Sequence, residues 1–245
     1  MTPDLLAYTR AVGAVYGTED LGPFLYALAR MQRPRRILDL GTGLGTTAFW
    51  LALACRENGQ GSVLTFDDGS HWVNTARSTE VRPFLERPDE PFGAFIARQA
   101  RRLGVDQPLR LVEARLPPFP TIERPIDLLL ADFAHGPADI VALLAHFLPQ
   151  MAPAASLFID SASTYLPSYL LLEQLVGLFN RGQVPAVMLE GLDETGQRHL
   201  ERVVATRRFI LVHLTEVKDR AQNSTAWLKI EPIDLLPHPR TAMRQ

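Results

Sequence analysis

The sequence is poor in cysteine and in net charge, and both shortages limit what the protein can be. Cys55 is the single cysteine among 245 residues, so no intramolecular disulfide can form. It lies in an apolar helical pattern, where a buried thiol is expected rather than a reactive one. The net charge at pH 7 is only −2, with a sequence pI of about 6.3. This near balance argues against a nucleic-acid partner held by a broad basic surface.

The sequence also lacks segments typical of secreted or membrane proteins. Its longest apolar runs, such as residues 140–148, are much shorter than the roughly 20 residues that span a bilayer. Residues 1–10 show no basic region followed by an apolar one, so we expect no signal peptide. We therefore expect a cytoplasmic protein without a membrane partner.

What the sequence does contain is an alternation of short apolar runs and helical patterns. Such alternation predicts an α/β fold, with a mostly parallel sheet and helices on both faces. Two amphipathic helices are expected first, over 3–15 and 20–31. The predicted strands cover 35–40, 62–68, 109–114, 126–133 and 156–162, and the clearest helices between and after them cover 46–58, 71–81, 137–151 and 169–180. Two further runs, 207–217 and 224–232, flank a polar turn and predict a terminal hairpin with an antiparallel strand.

We expect a single domain over 1–245, with N-terminal helices over 1–34 and a ligand-binding core over 35–165. Two long connections, 82–96 and 182–200, do not fit a minimal unit of this kind. Long connections in a compact domain are usually functional or mobile. Both segments are candidates for a substrate lid or for a subunit contact, and a subunit contact would make the protein a homodimer. Plain insertions are the alternative.

The stretch "DLGTGLGTT" (39–47) follows the first predicted strand and opens the next helix. Its glycines, Gly41, Gly43 and Gly45, permit a left-handed backbone and the close approach of a ligand. A P-loop would end in Gly-Lys-Ser/Thr, and no lysine is present. The dinucleotide fingerprint requires a third small residue where this chain has Thr46. Neither phosphate-binding motif is therefore matched.

Acidic residues around this loop favour a ligand with an amine, a carboxylate and a sugar. Asp39 lies inside the first strand, where its carboxylate would repel a pyrophosphate and attract an ammonium group. A ligand carboxylate is expected at the helix N-terminus, near the hydroxyls of Thr46 and Thr47. Asp67 ends the second strand, at the position from which an acid accepts both ribose hydroxyls. Asp68 and Trp72 follow it and are expected at the sugar edge and the adenine face.

An amino acid joined to an adenosine is S-adenosylmethionine, and here the chain resembles the class I S-adenosylmethionine-dependent methyltransferases. "ILDLGTGLGTT" resembles their first motif, "VLTFDDGSHWVNTAR" their second strand and helix, and "PIDLLLADFAHG" their fourth strand. "MAPAASLFIDSA" resembles the fifth strand, although the usual Pro-Gly-Gly turn is absent. The resemblance implies a Rossmann-like methyltransferase fold, with a seven-stranded, mostly parallel sheet and a C-terminal antiparallel hairpin. The cofactor-binding residues that we expect are Asp39, Gly41, Thr42, Gly43, Gly45, Thr47, Asp67, Asp68, Trp72, Asp132, and the backbone amides of Ala114 and Arg115.

Within this family, the loop and the leading helices resemble the catechol-type O-methyltransferases. That group binds a divalent metal through an Asp after strand four and an Asp-Asn pair after strand five. Asp132 and Asp160 match the two aspartates, but Ser161 replaces the asparagine. Two oxygen ligands are too few to fix magnesium alone. We therefore favour a metal-independent site, with a divalent metal on Asp132 and Asp160 as the alternative.

His135 is the best candidate for a general base, because imidazole titrates near neutral pH. The alternative is that it caps the helix that follows. Asp132 is the second catalytic candidate, and its alternative role is to cap a turn.

The leading hypothesis is methyl transfer to a small-molecule acceptor, at an oxygen nucleophile. The chain lacks the Asp/Asn-Pro-Pro-aromatic motif of nucleic-acid amino-methyltransferases after strand four, which argues against a nucleic-acid base as acceptor. Two alternatives stay open. One is a methyltransferase acting on a peptide or protein, at nitrogen or a carboxylate. The other is a non-catalytic relative that binds the cofactor.

Overall fold

The computed structural model describes residues 3–16, 20–123, 125–133, 135–216 and 224–233. The helices in these residues are α1 (Pro3–Tyr16), α2 (Leu21–Gln32), α3 (Thr46–Asn58), α4 (Trp72–Thr75), α5 (Phe92–Arg102), α6 (Pro137–Phe147), α7 (Leu166–Phe179), α8 (Ala186–Leu189) and α9 (Glu194–Thr206). The strands are β1 (Arg36–Leu40), β2 (Ser62–Asp67), β3 (Leu109–Glu113), β4 (Ile126–Ala131), β5 (Met151–Asp160), β6 (Arg207–Thr215) and β7 (Ser224–Pro232). Short 3₁₀ turns cover Arg82–Phe84 and Leu148–Gln150.

The seven strands follow the order β3-β2-β1-β4-β5-β7-β6. Strand β1 pairs in parallel with β2 and β4, and β2 pairs in parallel with β3. Strand β7 pairs antiparallel with β5 and β6. The predicted sheet, mostly parallel with a terminal antiparallel hairpin, is confirmed. The turn predicted between the hairpin strands lies outside the described residues.

Contacts divide the chain into two units, of which the first contains the described residues of 1–120, 128–133 and Glu216. Strands β1 and β4 are almost wholly buried, as expected of apolar parallel strands covered on both faces. The register sets Asp39 beside Thr65, so these two polar side chains share a face of the sheet. Helix α3 packs its aromatic residues Phe49 and Trp50 into the core, with full burial.

The second unit contains the described residues of 121–127, 134–215 and 224–233. Its core is aromatic: Phe179 of α7 lies 5.1 Å from Phe209 of β6, and Phe158 of β5 stacks on Trp227 of β7 at 5.6 Å between ring centroids. Asn180 fixes the end of α7 to β6, because its amide donates to and accepts from the backbone of Phe209 at 2.8 and 2.9 Å.

The structure corrects the sequence prediction in three segments. The helix expected over 71–81 is only the single turn Trp72–Thr75. The two expected connections contain helices: 82–96 includes a 3₁₀ turn and the start of α5, and 182–200 includes α8 and the first half of α9. Asp193 begins α9 as its N-cap and accepts the backbone N–H of Gly196 at 2.7 Å. No helix in the described part of the chain is long and apolar enough to cross a membrane.

Candidate functional site

The glycine-rich loop between β1 and α3 has a backbone that requires glycine. Gly41, Gly43 and Gly45 have φ angles of +102°, +52° and +80°. A Cβ on Gly41 would lie 2.1 Å from the backbone oxygen of Asp132, and one on Gly45 would lie 2.5 Å from the ring of Phe49. Side chains are therefore excluded from this turn by strain and by its close neighbours.

The backbone N–H groups at the start of the loop hold it against the end of β2. Those of Gly41 and Thr42 donate to the carbonyl oxygen of Phe66 at 2.9 and 3.2 Å. That of Gly43 donates to Asp67 Oδ2 at 2.9 Å. The structure thus brings the predicted loop residues and the predicted ribose-binding carboxylate together.

Asp67 is fixed at the end of β2 by backbone donors on both of its oxygens. Besides the bond from Gly43, its Oδ1 accepts the N–H of Gly69 at 2.8 Å, and Nδ1 of His71 lies 3.4 Å from the same oxygen. A carboxylate offers about four acceptor positions, so capacity is left for hydroxyl donors from a ligand. Ribose binding by Asp67 stays a prediction that this geometry favours.

Asp39 is fully buried, and each of its oxygens accepts a threonine hydroxyl. Thr65 Oγ1 donates to Oδ2 at 2.6 Å, and Thr47 Oγ1 donates to Oδ1 at 3.3 Å. Thr65 Oγ1 also lies 2.6 Å from Thr42 Oγ1. Burial raises the pKa of Asp39 from 3.8 to about 7, against the two hydroxyl bonds that lower it. A ligand ammonium group beside Asp39 would favour its ionised form, and that contact stays a prediction.

The two threonines at the start of α3, Thr46 and Thr47, are buried. The single hydroxyl hydrogen of Thr47 is used on Asp39, so it does not also reach a ligand carboxylate in this arrangement. The helix N-cap is Gly45, which has no side chain to satisfy the first backbone N–H groups. Those N–H groups are the better donors to a ligand carboxylate.

Two residues expected beside the sugar and the adenine differ in exposure. Asp68 is exposed, and its Oδ1 accepts the N–H of Ser70 at 2.9 Å. Hydrogen bonds from Ser70 lower the pKa of Asp68, so it stays ionised. Trp72, in contrast, is only 7% exposed: its ring lies 4.7 Å from that of Phe95, and its Nε1 donates to the carbonyl oxygen of Glu90 at 2.7 Å. The indole therefore packs in the core of the first unit, and its contact with an adenine face stays a prediction.

The predicted amide donors after β3 are also partly engaged. The N–H of Ala114 donates to the carbonyl oxygen of Asp67 at 2.9 Å, which continues the β2–β3 pairing by one residue. It is therefore not free for an adenine edge, and this is a correction. The side chain of Arg115 is exposed, and an adenine contact from its backbone amide stays a prediction.

His135 lies in the loop before α6, in the second unit, where two contacts orient it. Its Nδ1 lies 2.8 Å from the carbonyl oxygen of Asp160, and its own carbonyl oxygen accepts the hydroxyl of Ser168. A carbonyl oxygen can only accept, so Nδ1 carries the proton. Neutral His135 therefore has its lone pair on Nε2, which is the atom that can accept a proton or bind a metal. The helix α6 begins at the N-cap Gly136, so His135 is not its capping residue.

Two candidate metal ligands, His135 and Asp160, lie in the second unit. Ser161, at φ +57°, instead donates its hydroxyl to Asp160 Oδ2 at 2.8 Å. A carboxylate with an imidazole fits a first-row transition ion better than magnesium, which prefers oxygen ligands alone. Asp132 directly follows β4 in the first unit, and its expected metal role stays a prediction.

Sequence reasoning missed Thr65 as part of this site. The signal is a polar residue inside the apolar strand "SVLTFD", at a position that the register places beside Asp39. A buried hydroxyl in such a strand needs a partner, and the acid on the neighbouring strand supplies one.

The strand order, the glycine turn after β1 and the acid that ends β2 together define a Rossmann-like methyltransferase fold. The sequence profile described as "Methyltransferase domain" matches residues 38–162, about half of the chain. The chain therefore belongs to this methyltransferase family. No curated protein matches the sequence.

Solved structures share the fold at low sequence identity. TomG from Streptomyces achromogenes, an O-methyltransferase of tomaymycin synthesis in complex with S-adenosylmethionine, is 17% identical, with a TM-score of 0.55 over 94% of this chain and 91% of its own. An O-methyltransferase from Bacillus cereus in complex with S-adenosylhomocysteine is 15% identical, with a TM-score of 0.52 over 94% and 92%. The S-adenosylhomocysteine-bound PaMTH1 methyltransferase of Podospora anserina is 15% identical, with a TM-score of 0.52 over 93% and 88%.

Proposed function

We propose that this methyltransferase transfers the methyl group of S-adenosylmethionine to an oxygen atom of a small-molecule acceptor. The observation that carries the choice of oxygen is the fixed tautomer of His135. A phenol or alcohol must lose a proton on methylation, whereas a carboxylate needs no base and a neutral amine needs none to attack. A histidine whose Nε2 is held ready to accept a proton suits the first of these acceptors.

The first unit supplies what the donor requires. When bound, S-adenosylmethionine supplies an electrophilic methyl carbon, and the protein supplies alignment and exclusion of water. Asp67 is held by Gly43 and Gly69 with acceptor capacity left for two ribose hydroxyls. The N-terminus of α3 offers backbone N–H groups to the methionine carboxylate, and the buried Asp39 offers a counter-charge to the ammonium group.

Proton removal from the acceptor is the task of the second unit. Asp160 holds the imidazole of His135 through its backbone oxygen, and Ser168 holds the backbone of His135. The bond to Asp160 keeps Nε2 as the proton acceptor, and the bond from Ser168 limits the movement of the backbone that carries the ring. The alternative is a divalent cation held by Asp132 and Asp160, whose charge would stabilise an ionised acceptor oxygen. A cation on Nε2 of His135 would occupy the lone pair that the base requires, so His135 acts as the base only without that ligand role.

The test is methyl transfer from radiolabelled S-adenosylmethionine to extracts fractionated into small molecules and macromolecules. Label in the small-molecule fraction that survives mild ester hydrolysis supports the proposal. Label that is lost on such hydrolysis would show that the acceptor is a carboxylate. His135→Gln should lower kcat by about 10²-fold or more, with KM for the donor little changed. His199→Gln is the matched control, because His199 is exposed on α9.

Three results would contradict the proposal in different ways. Label confined to macromolecules would favour a peptide or protein acceptor. Donor binding without transfer in any fraction would favour a non-catalytic relative. Equal kcat in both glutamine variants would remove His135 as the base. A chelator tests the metal alternative separately. Turnover that is lost with a chelator and restored by manganese, but not by magnesium, would assign Asp132 and Asp160 to a metal.

The remaining expectations about partners rest on the sequence. A nucleic-acid acceptor is disfavoured by the net charge of −2 and by the missing Pro-Pro motif after β4. A homodimer, a cytoplasmic location, one domain over 1–245, and lid roles for 82–96 and 182–200 stay predictions.

A further inference from the structure

We propose that Tyr8 of α1 is a positioning residue for the donor site, because its hydroxyl fixes the peptide group that joins Leu44 to Gly45 in the glycine-rich loop. The inference rests on the proposed donor. Tyr8 Oη donates to the carbonyl oxygen of Leu44 at 2.7 Å, across 36 residues of sequence. Leu44 lies directly before the N-cap of α3, outside the helix, where its carbonyl has no helical partner.

Both ends of this one peptide group are held. Its oxygen accepts from Tyr8, and its N–H, that of Gly45, donates to the carbonyl oxygen of Thr42 at 2.7 Å. The plane of this peptide turns about ψ of Leu44 and φ of Gly45, and Gly45 stands at φ +80°. Because glycine makes such rotation sterically cheap, the loop itself restrains the peptide mainly through the bond from Gly45 to Thr42. The hydroxyl of Tyr8 adds a restraint on the oxygen, from outside the loop.

Tyr8 is itself rigid, which makes it suited to this role. It is only 3% exposed, and its ring lies 5.8 Å from Phe49 of α3 and 5.1 Å, edge to face, from Phe84. Burial raises the pKa of Tyr8, so the hydroxyl keeps its proton and remains a donor. Thr9 adds a second tie between α1 and α3 by accepting the Nε1–H of Trp50 at 2.9 Å, away from the loop.

The consequence for the donor follows from the direction of the helix. The peptide before Gly45 sets the direction of the first N–H groups of α3, which are the donors expected to meet the methionine carboxylate. Loss of the hydroxyl leaves a buried carbonyl without its partner and releases the peptide. The affinity for the donor should therefore fall, although no atom of Tyr8 is required to touch it.

The experiment compares Tyr8→Phe with Thr9→Val. Both substitutions keep size and remove one buried hydrogen bond between α1 and the α3 region, but only the first removes the bond to the loop. Isothermal titration with S-adenosylhomocysteine should show about tenfold weaker binding by Tyr8→Phe and less than about twofold weaker binding by Thr9→Val. In turnover, KM for the donor should rise in the first variant, with kcat changed much less.

Hydrogen exchange in the unliganded protein gives a reading that does not depend on the donor. The amide of Gly45 should exchange about tenfold faster in Tyr8→Phe than in the wild type, and at the wild-type rate in Thr9→Val. If Tyr8→Phe fails to fold, p-aminophenylalanine at position 8 supplies the variant, since its amine restores a donor on the same ring. That amine is a weaker donor than the phenol, so Gly45 should exchange faster than in the wild type, and an unchanged rate would overturn the inference.

The outcomes separate this inference from the proposed function. If the wild type does not bind S-adenosylhomocysteine, the proposed donor is wrong, and the exchange of Gly45 still decides the role of Tyr8. If the wild type binds and the two variants lose affinity equally, Tyr8 only anchors α1. Unchanged exchange at Gly45 in Tyr8→Phe would overturn the inference in either case.

Discussion

Replacing the buried Asp39 with asparagine should remove much of the pH dependence of folding stability. The unfolded chain has an aspartate pKa near 3.8, and burial raises the folded value to about 7. Between these values the native state binds a proton that the unfolded state has lost. The free energy of unfolding must therefore fall as pH rises through this window, and it levels off above about pH 7.

The magnitude follows from the width of the window. One pKa unit corresponds to about 1.4 kcal/mol, so the shift of Asp39 is equivalent to an upper limit of about 4 kcal/mol. Between about pH 5 and pH 8, the wild type should lose about 2 to 3 kcal/mol through this group. Asparagine does not titrate, and it can still accept one hydroxyl, from Thr65 or Thr47.

The assay is urea unfolding of both proteins at about pH 5 and about pH 8. At each pH, the free energy of unfolding of Asp39→Asn is subtracted from that of the wild type. This difference should fall by about 2 to 3 kcal/mol from the lower to the higher pH, because only the wild type loses stability through this group. Asp89→Asn is the control, because its side chain is 83% exposed and should leave the wild-type dependence intact. A difference that does not change with pH would refute the proposed protonation of Asp39.

Two further predictions concern the glycine loop and the segment before α5. Gly41→Ala should destabilise the fold by about 3 kcal/mol or more in urea unfolding, because its Cβ would meet a backbone oxygen at 2.1 Å. Gly182 is also at positive φ but has open space around it, so Gly182→Ala should cost only about 1 to 2 kcal/mol. Arg98→Met should cost about 3 kcal/mol by the same assay, because it leaves the buried carboxylate of Glu90 without its ion pair. Arg198→Met is the control: it breaks an exposed ion pair and should change stability by less than about 1 kcal/mol. Equal effects of the two glycine variants would contradict the close contact assigned to Gly41, and equal effects of the two arginine variants would contradict the burial assigned to Glu90.

Much of the fold could be predicted from local sequence because its strands are short apolar runs with clear ends. Helix α3 matches its predicted bounds of 46–58, since glycines stand on both sides of it. Helix α9 was missed because Gly191 and Pro185 suggest a loop. Its N-cap Asp193, followed by the buried Leu200, Val203 and Val204, is a helical signal that could have been recognised.

The site was harder to predict where contacts join distant parts of the chain. The glycines and Asp67 follow strand ends, so their meeting follows from parallel topology alone. The burial of Trp72 depends on Phe92 and Phe95 of α5, both of which lie in the stretch 82–96 that the sequence suggested was a connection. The use of the Ala114 amide depends on the register of β3, and local patterns do not specify register.

The central claim is that the loop and the acid at the end of β2 bind S-adenosylmethionine. Isothermal titration of S-adenosylmethionine into the wild type and Asp67→Ala tests it most directly, with circular dichroism to show that both are folded. The account predicts one site in the wild type and about 100-fold weaker binding in the variant, because two hydroxyl bonds to a charged group are lost. Asp89→Asn should bind as the wild type does. Absence of binding by the folded wild type, or equal affinity in Asp67→Ala, would contradict the claim.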